Sequence, residues 1–266
     1  SGGTFQGMVG NTGTISGGTF QENVYNHGTI SNGTFQGKVV NYKTISGGTF
    51  EEAVEVYASS GNEATIEGGT FEKGMKLKND DASITIKDGL FDDEVVTGGC
   101  ASPLSISGGL FTNAVDVSNT DPSKLSITGG YFVNEPTLPE GSDIAFTSVS
   151  DQNGRHFQVR INGGFSKNGY EALYVPHGMS ERQANPITVK TDTALTDCLA
   201  DGESIMGTDK VRKNNDGSYT IEVYQPTSIV LVTAPPTAGE PSGELDPGLS
   251  SGAAALGIVL GTAGLG

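Results

Sequence analysis

The chain has 266 residues, and its 31 acidic and 15 basic side chains give a formal net charge of -16. Such a charge repels phosphate backbones and anionic lipid surfaces, so we expect no nucleic-acid partner. Forty glycines, no Trp and only 17% charged residues suit neither a helical bundle nor a solvated disordered chain. The composition favours an all-β protein with many turns.

A tight turn followed by Phe recurs eight times in residues 1–132. The phenylalanines are Phe5, Phe20, Phe35, Phe50, Phe71, Phe91, Phe111 and Phe132. The residue two places before each Phe is always Gly, as at Gly18 and Gly48, and the residue three places before is Gly, Asn or Asp. Because these residue types tolerate positive φ, both positions are predicted to form a corner in the left-handed region.

Two apolar columns accompany the phenylalanines. Five places before Phe stand Ile15, Ile30, Ile45, Ile66, Ile86, Ile106 and Ile127. Four places after it stand Val9, Val24, Val39, Val54, Met75, Val95 and Val115. One repeat cannot bury such a face alone, so repeats must stack on each other. The pattern predicts a parallel β-solenoid (β-helix) of about eight coils, with like residues about 4.8 Å apart.

The repeat length changes along the chain. The first four phenylalanines are 15 residues apart, and from Phe50 onwards the spacing is 20 or 21. Six places after Phe, the narrow coils carry Asn11, Asn26 and Asn41, whereas wide coils carry Val56, Leu77 and Val117. We therefore predict that the solenoid widens between Phe50 and Phe71. The Asn column is interpreted as an internal hydrogen-bonded ladder, with a ligand site as the alternative.

Beyond Phe132 the repeat ends. Residues 133–233 are predicted to form a β-rich cap or small domain over the exposed solenoid edge, with a hairpin turn at 215–217. Residues 234–251 are predicted to form a Pro/Gly-rich linker. The apolar run 252–266 is interpreted as the truncated start of a membrane anchor, the one expected membrane contact of the full-length chain.

The two cysteines and three histidines do not predict a metal site, a disulfide framework or a catalytic site. Cys100 and Cys198 define neither a zinc site nor a disulfide framework, and whether they pair stays open. His27, His156 and His177 occur in unrelated contexts, where a histidine beside a turn is usually exposed to solvent. With no nucleophile or metal partner spaced to meet them, we expect no catalytic site and no enzyme.

An acidic strip begins where the coils widen. Glu51, Glu72 and Asp92 directly follow Phe, and Glu52 and Asp93 stand next to them. Calcium, which favours several oxygen ligands, is one hypothesis for this strip. The alternative is an exposed charged face, since neighbouring charges in water repel weakly. No other cofactor is predicted.

Exposed threonines and tyrosines are the predicted contacts to a host or microbial glycan or protein. They are Thr19, Thr34, Thr49, Tyr25, Tyr42 and Tyr57. Regular threonine columns superficially resemble those of ice-binding solenoids, which is a remote alternative, although exposed strands favour Thr in any case. A polysaccharide lyase or hydrolase built on a β-helix is the main alternative, but paired acids should then lie in a groove with aromatic neighbours.

The Ile-Ser-Gly-Gly-Thr-Phe repeat is joined by two further features. Leu199-Ala-Asp-Gly202 precedes Asn215-Asp-Gly-Ser-Tyr-Thr220, and a Pro-rich stretch precedes the apolar tail. Together they resemble repetitive cell-surface proteins of Gram-positive gut bacteria. The resemblance implies a non-enzymatic extracellular protein, anchored at the cell surface, that serves as a rigid stalk or an adhesin.

Overall fold

The computed structural model of the chain describes residues 2–59, 61–80, 82–98, 103–151, 154–161, 170–174, 187–222 and 229–233. The chain divides into two compact units, residues 1–235 and 236–266, and only the first contains described residues. The linker and anchor predicted at 234–266 therefore lie outside the described residues. The same holds for Cys100 and His177.

Residues 1–132 form coils with up to three short strands each. These strands are β1 (Thr4–Phe5), β2 (Val9–Asn11), β3 (Thr14–Phe20), β4 (Val24–Asn26), β5 (Thr29–Phe35), β6 (Val39–Asn41), β7 (Thr44–Ile45), β8 (Thr49–Phe50), β9 (Val54–Ser59), β10 (Ala64–Ile66), β11 (Thr70–Phe71), β12 (Met75–Asp80), β13 (Ile84–Ile86), β14 (Leu90–Phe91), β15 (Val95–Thr97), β16 (Leu104–Ile106), β17 (Leu110–Phe111), β18 (Val115–Asp116), β19 (Leu125–Ile127) and β20 (Tyr131–Phe132). A short 3₁₀ helix, Pro122–Lys124, precedes β19.

The strands assemble into three parallel stacks, named here by their inward residue. The Ile stack contains β7, β10, β13, β16 and β19, and the Phe stack contains β1, β8, β11, β14, β17 and β20. Strands β3 and β5 run through the corner and belong to both stacks. The Val stack is the seven-stranded sheet of β2, β4, β6, β9, β12, β15 and β18.

The register of the coils is set on the Phe column. Phe50 pairs with Phe71 although the coil between them is longer, and every other Phe in turn pairs with the next. Neighbouring rings have centroids 4.5 to 4.9 Å apart and planes within 8° of each other. The predicted parallel β-solenoid, with like residues stacked at the spacing of hydrogen-bonded strands, is confirmed.

The widening of the coils is also confirmed. Strands β9 and β12 are six residues long, whereas the matching strand β6 has three. Val56 and Leu77 stand at the positions of the earlier asparagines and are fully buried, as is Val117 two coils further on. Each wide coil thus adds inward apolar side chains, which enlarges the core.

The asparagine column is an internal ladder, as predicted. Asn26 and Asn41 are fully buried. Asn11 Nδ2 donates to Asn26 Oδ1 at 2.6 Å, and Asn26 Nδ2 donates to Asn41 Oδ1 at 2.7 Å. Asn26 Nδ2 also reaches the carbonyl oxygens of Gly28 and Thr44. The ladder satisfies turn backbone inside the narrow coils, where a buried unpaired group would be costly.

Replacing Asn26→Ala should lower the free energy of unfolding by about 3 kcal/mol, because Asn41 Oδ1 and the turn carbonyls lose their buried donor. Thermal unfolding followed by circular dichroism measures the change. Gln21→Ala, which removes an exposed amide from the same coil, is the control and should have little effect. Equal melting temperatures for both variants would contradict the structural role of the ladder.

The two corner positions work differently from the prediction. All eight glycines two places before Phe have φ between 104° and 147°. Of the residues three places before Phe, only Gly17 has a positive φ, so the prediction of a left-handed backbone was wrong for the rest of that column. There glycine is needed for space: a Cβ on Gly47, Gly108 or Gly129 would lie 2.1 to 2.4 Å from a carbonyl oxygen of the coil below. The column permits close stacking of the coils.

We expect Gly108→Ala to destabilise the protein by at least about 2 kcal/mol, since the new methyl group meets the backbone oxygen of Lys87 and backbone must move. Gly10→Ala is the matched control, because a Cβ there meets nothing within 4 Å. Chemical denaturation of the two variants provides the comparison. A Gly108→Ala variant as stable as Gly10→Ala would refute the close-approach explanation.

After the last coil the sheet becomes antiparallel. Its strands are β21 (Ala145–Asp151), β22 (Gly154–Ile161), β23 (Tyr170–Tyr174), β24 (Ile187–Thr191), β25 (Leu195–Ala200), β26 (Glu203–Ser204), β27 (Val211–Lys213), β28 (Tyr219–Ile221) and β29 (Ile229–Thr233). Strand β22 pairs with β20 through Phe157 and Phe132, and the Phe146 ring meets the Phe132 ring edge-on at 5.5 Å. These strands cover the end of the Phe column.

The antiparallel strands have a second core, which includes Val189, Cys198, Tyr219 and Ile221. Strands β27 and β28 form the hairpin predicted around 215–217, with Val211 opposite Ile221. Burial raises the pKa of the Cys198 thiol to about 12, so this thiol is protonated at neutral pH and acts as a packing group.

Candidate functional site

A groove follows the glycine corners along the solenoid. Its first stretch, about 460 Å³, is lined by residues from Gly3 to Thr49, and its second, about 780 Å³, by residues from Asn32 to Gln158. The two stretches share Asn32 and Thr49, so together they form one continuous feature, named here the corner groove. It crosses the coils from the first Gly-Phe turn to the antiparallel strands.

Strand alternation explains the lining of the groove. Each Phe points into the core, so the residue before it points outward into the groove. The corner glycines next to this outward residue have no side chain, so the floor of the groove at these glycines is bare backbone. Its carbonyl oxygens already accept hydrogen bonds from the next coil, for example Gly48 O from Thr70 N and Gly89 O from Leu110 N, at 2.9 and 2.8 Å.

One wall of the groove changes from hydroxyl to apolar side chains within the wide coils, after Thr70. In the narrow half it carries threonine hydroxyls, and these include the predicted contacts Thr19, Thr34 and Thr49. Farther along, Thr70 is followed in the same column by Leu90, Leu110 and Tyr131, all half-buried. The groove therefore has a hydroxyl-lined half and an apolar half.

The opposite wall carries charges that already have partners. Lys87 Nζ lies 3.0 Å from Glu67 Oε1 on the neighbouring coil. Asp88 Oδ1 accepts a hydrogen bond from the Gly89 amide at 2.8 Å, and Ser107 Oγ donates to a carbonyl of the coil below. This wall can offer further hydrogen bonds to a ligand without presenting a strong net charge.

The groove ends at the antiparallel strands, where the Tyr131 ring stacks on His156 at 3.8 Å between centroids. His156 is fully buried, so the expectation of an exposed side chain was wrong for it, whereas His27 is exposed. Gln158, 3% exposed, also lines this end. Tertiary packing of β22 against the last coil places both residues, which repeat spacing alone does not indicate.

Sequence reasoning missed the apolar half of the groove. Leu90, Leu110 and Tyr131 stand next to inward phenylalanines, and alternation requires them to point outward. An outward apolar column is the signal that identifies them, because exposed apolar side chains in a row often mark a binding surface. Their position beside a corner, and hence in a concavity, follows only from the coil geometry.

The predicted tyrosines lie elsewhere, on the outer face of the Val stack. Tyr42 stacks between His27 and Tyr57, with centroids 4.4 and 5.6 Å away. Tyr25 lies on the same face in a neighbouring column, paired with Val40. Because the stacked rings of His27, Tyr42 and Tyr57 cover each other's faces, they present mostly edges and polar tips to solvent. We name these three rings the aromatic ladder.

Ion pairs brace the end of the aromatic ladder. Tyr57 donates to Glu55 Oε2 at 3.0 Å and accepts a hydrogen bond from Lys78 Nζ at 2.7 Å. Lys38 Nζ lies 2.8 Å from Glu55 Oε1. The hydrogen bond from Lys38 lowers the pKa of Glu55, with further help from Tyr57 and Lys78, while burial opposes the change. This network ties three neighbouring coils together.

The acidic strip stays spread along the surface. Glu52, Glu72 and Asp92 are exposed, Glu51 accepts a hydrogen bond from Gln36, and Asp93 accepts one from the Glu94 amide. Within the described ranges, no three His, Cys, Asp or Glu side chains are grouped closely enough to hold a metal ion. The geometry therefore fits the exposed charged face better than the calcium hypothesis.

The two threonine columns do not form one flat array. Thr19, Thr34 and Thr49 lie on the Phe stack, whereas the column of Thr44 and Thr65 lies on the Ile stack, on the other side of the glycine corner. The serines two places along from this second column, such as Ser31 and Ser46, donate to carbonyls of the coil below. An ice-like lattice would need a single regular plane.

Comparison of the chain with protein-family models, with curated proteins and with solved structures finds no match in any of the three. In the part of the chain that the structure describes, no helix is both long and apolar enough to span a bilayer.

The aromatic ladder generates a prediction about its role. Tyr42→Ala should lower stability by about 1 kcal/mol, because two ring contacts are lost. Thermal unfolding of the variant measures the change. A variant with wild-type stability would show instead that the stacked rings do not brace the coils.

Proposed function

We propose that the protein is a non-enzymatic extracellular surface protein, a rigid stalk or adhesin that binds a glycan or protein partner in the corner groove. The observation that carries this proposal is the continuity of the groove: it follows the same glycine corner over the coils and ends against folded strands. A long groove with one repeat is suited to a long ligand. The tether in this proposal is the apolar run 252–266.

Rigidity supports the stalk part of the proposal. The coils are joined by in-register backbone hydrogen bonds, a continuous Phe column and the buried Asn ladder. Parallel strands held this way behave as a stack in which each repeat supports its neighbours. Such a rod holds a binding surface away from the point of attachment with little bending.

The chemistry of the groove favours binding over cleavage. Glycoside hydrolysis commonly uses two carboxyl groups, one on each side of the scissile bond. Among the described residues that line the groove, Asp88 is the only carboxylate, and it accepts a hydrogen bond from the adjacent Gly89 amide. A carbohydrate-active enzyme remains the alternative that the experiment addresses.

The full chain, incubated with an array of host, microbial and plant glycans, should bind without releasing shorter products. Thr70→Arg places a long side chain in the groove and should weaken binding at least about tenfold, about 1.4 kcal/mol. Thr65→Arg, which puts the same side chain on the outer face of the Ile stack, is the matched control and should bind like the unmodified protein.

Two results would contradict the proposal. Release of shorter sugar chains, measured by chromatography, would establish an enzyme. Equal binding by the Thr70→Arg and Thr65→Arg variants would place the ligand outside the corner groove.

A further inference from the structure

We propose that the corner groove takes an extended, uncharged, β-linked polysaccharide, with the sugar chain parallel to the solenoid axis. In this arrangement the apolar wall of Leu90, Leu110 and Tyr131 supplies most of the affinity. The inference rests on the proposed function, since it names the class of ligand for the same groove.

The first argument is the repeat of the lining. Each coil presents the glycine two places before Phe on the floor and one wall residue, and successive coils are about 4.8 Å apart, the spacing of hydrogen-bonded strands. One sugar unit of an extended β-linked chain has a length close to this spacing. Successive sugars of such a chain are turned over with respect to each other, but both faces of a β-linked sugar ring carry C–H groups. Each wall residue can therefore meet one ring, through alternate faces, so that contacts add along the groove.

The second argument excludes an extended peptide as the better ligand. A peptide strand presents side chains on one face at intervals of about 6.7 Å, which does not match the coils. Strand addition also needs a free row of backbone acceptors or donors. The floor carbonyls of Gly48, Gly69 and Gly89 already accept hydrogen bonds from Thr70, Leu90 and Leu110. Sugar hydroxyls need no such row.

The third argument is charge. Lys87 is paired with Glu67, and the Asp88 carboxylate accepts from a backbone amide. The chain as a whole carries a net charge of -16. An acidic polysaccharide would be repelled by this charge and would find no row of basic side chains among the described residues that line the groove. A neutral chain avoids that cost.

The fourth argument concerns the wall. Sugar rings have apolar C–H faces and polar edges. The column of Leu90, Leu110 and Tyr131 offers apolar contact to one face, while Ser107 and Lys87 on the opposite wall offer hydrogen bonds to hydroxyl groups. Burial of apolar surface gives affinity, and the few polar groups give orientation. The threonine half of the groove offers less apolar surface and should bind more weakly.

The test uses isothermal titration of the full chain with soluble oligosaccharides of about six sugar units, one for each coil of the longer stretch. Neutral β-linked cello-, xylo-, manno- and chito-oligosaccharides are compared with oligogalacturonate, with α-linked malto-oligosaccharides and with an extended Gly/Ser peptide. We expect binding of at least one neutral β-linked series, and weaker or absent binding of the other ligands.

Three variants locate the binding on the apolar wall. Leu110→Thr, which restores the residue type of the earlier coils, should weaken binding about three- to tenfold, and Thr70→Leu, which lengthens the apolar wall, should strengthen it about threefold. Val96→Thr makes the same kind of change on the outer face of the Val stack and should have no effect. Melting curves check that each variant is folded.

The outcomes separate this inference from the proposed function. Preferred binding of the acidic, α-linked or peptide ligand, abolished by Thr70→Arg, would overturn the inference and leave a groove-binding protein in place. Neutral β-linked binding that is insensitive to Leu110→Thr and Thr70→Leu would also overturn it. Failure of all these ligands to bind would overturn the inference, and failure of the wider glycan array as well would exclude a glycan as the partner in the proposed function and leave only a protein.

Discussion

Close stacking of parallel coils is the constraint on which the rest of this structure depends. Backbone hydrogen bonds hold successive coils at the strand spacing, and most inward side chains have an identical or similar neighbour at that distance. Phe meets this requirement by stacking ring on ring, and Asn by donating to the next Asn. Glycine three places before Phe meets it by having no Cβ to strike the coil below.

The corner groove is a consequence of the same constraint. The corner positions, most of which are glycine, leave a line of largely bare backbone on the surface, and the residue before Phe then borders it. In the proposed function, folding and binding therefore use the same repeat, although different positions within it. This division lets the wall change from Thr70 to Leu90 and Leu110 while the corner and the core stay the same.

The outer faces of the solenoid are used for bracing. On the Val stack, the aromatic ladder and the Lys38, Glu55 and Lys78 network link neighbouring coils, and the rings of Tyr42 and Tyr57 are largely occupied with each other. Individual surface ion pairs contribute little stability, but a repeated set of contacts between the same coils adds to the cooperativity of the stack. The concave corner is therefore better suited to a ligand than these faces are.

Repeat spacing in the sequence predicts the parallel solenoid, the inward Phe, Ile and Val columns, the Asn ladder and the widening after Phe50, because it dictates which residues lie above each other. The sequence also indicates the 215–217 hairpin, because the turn residues there are sufficient to predict a hairpin without tertiary contacts. Three features become visible only in the three-dimensional packing: Gly108 is needed for space, His156 is buried against Tyr131, and Thr49 and Leu110 share a groove from which Tyr42 is absent. The reason is physical: a repeat specifies stacking along the axis, whereas the bend of the chain within one coil decides which outward columns face each other across a concave corner.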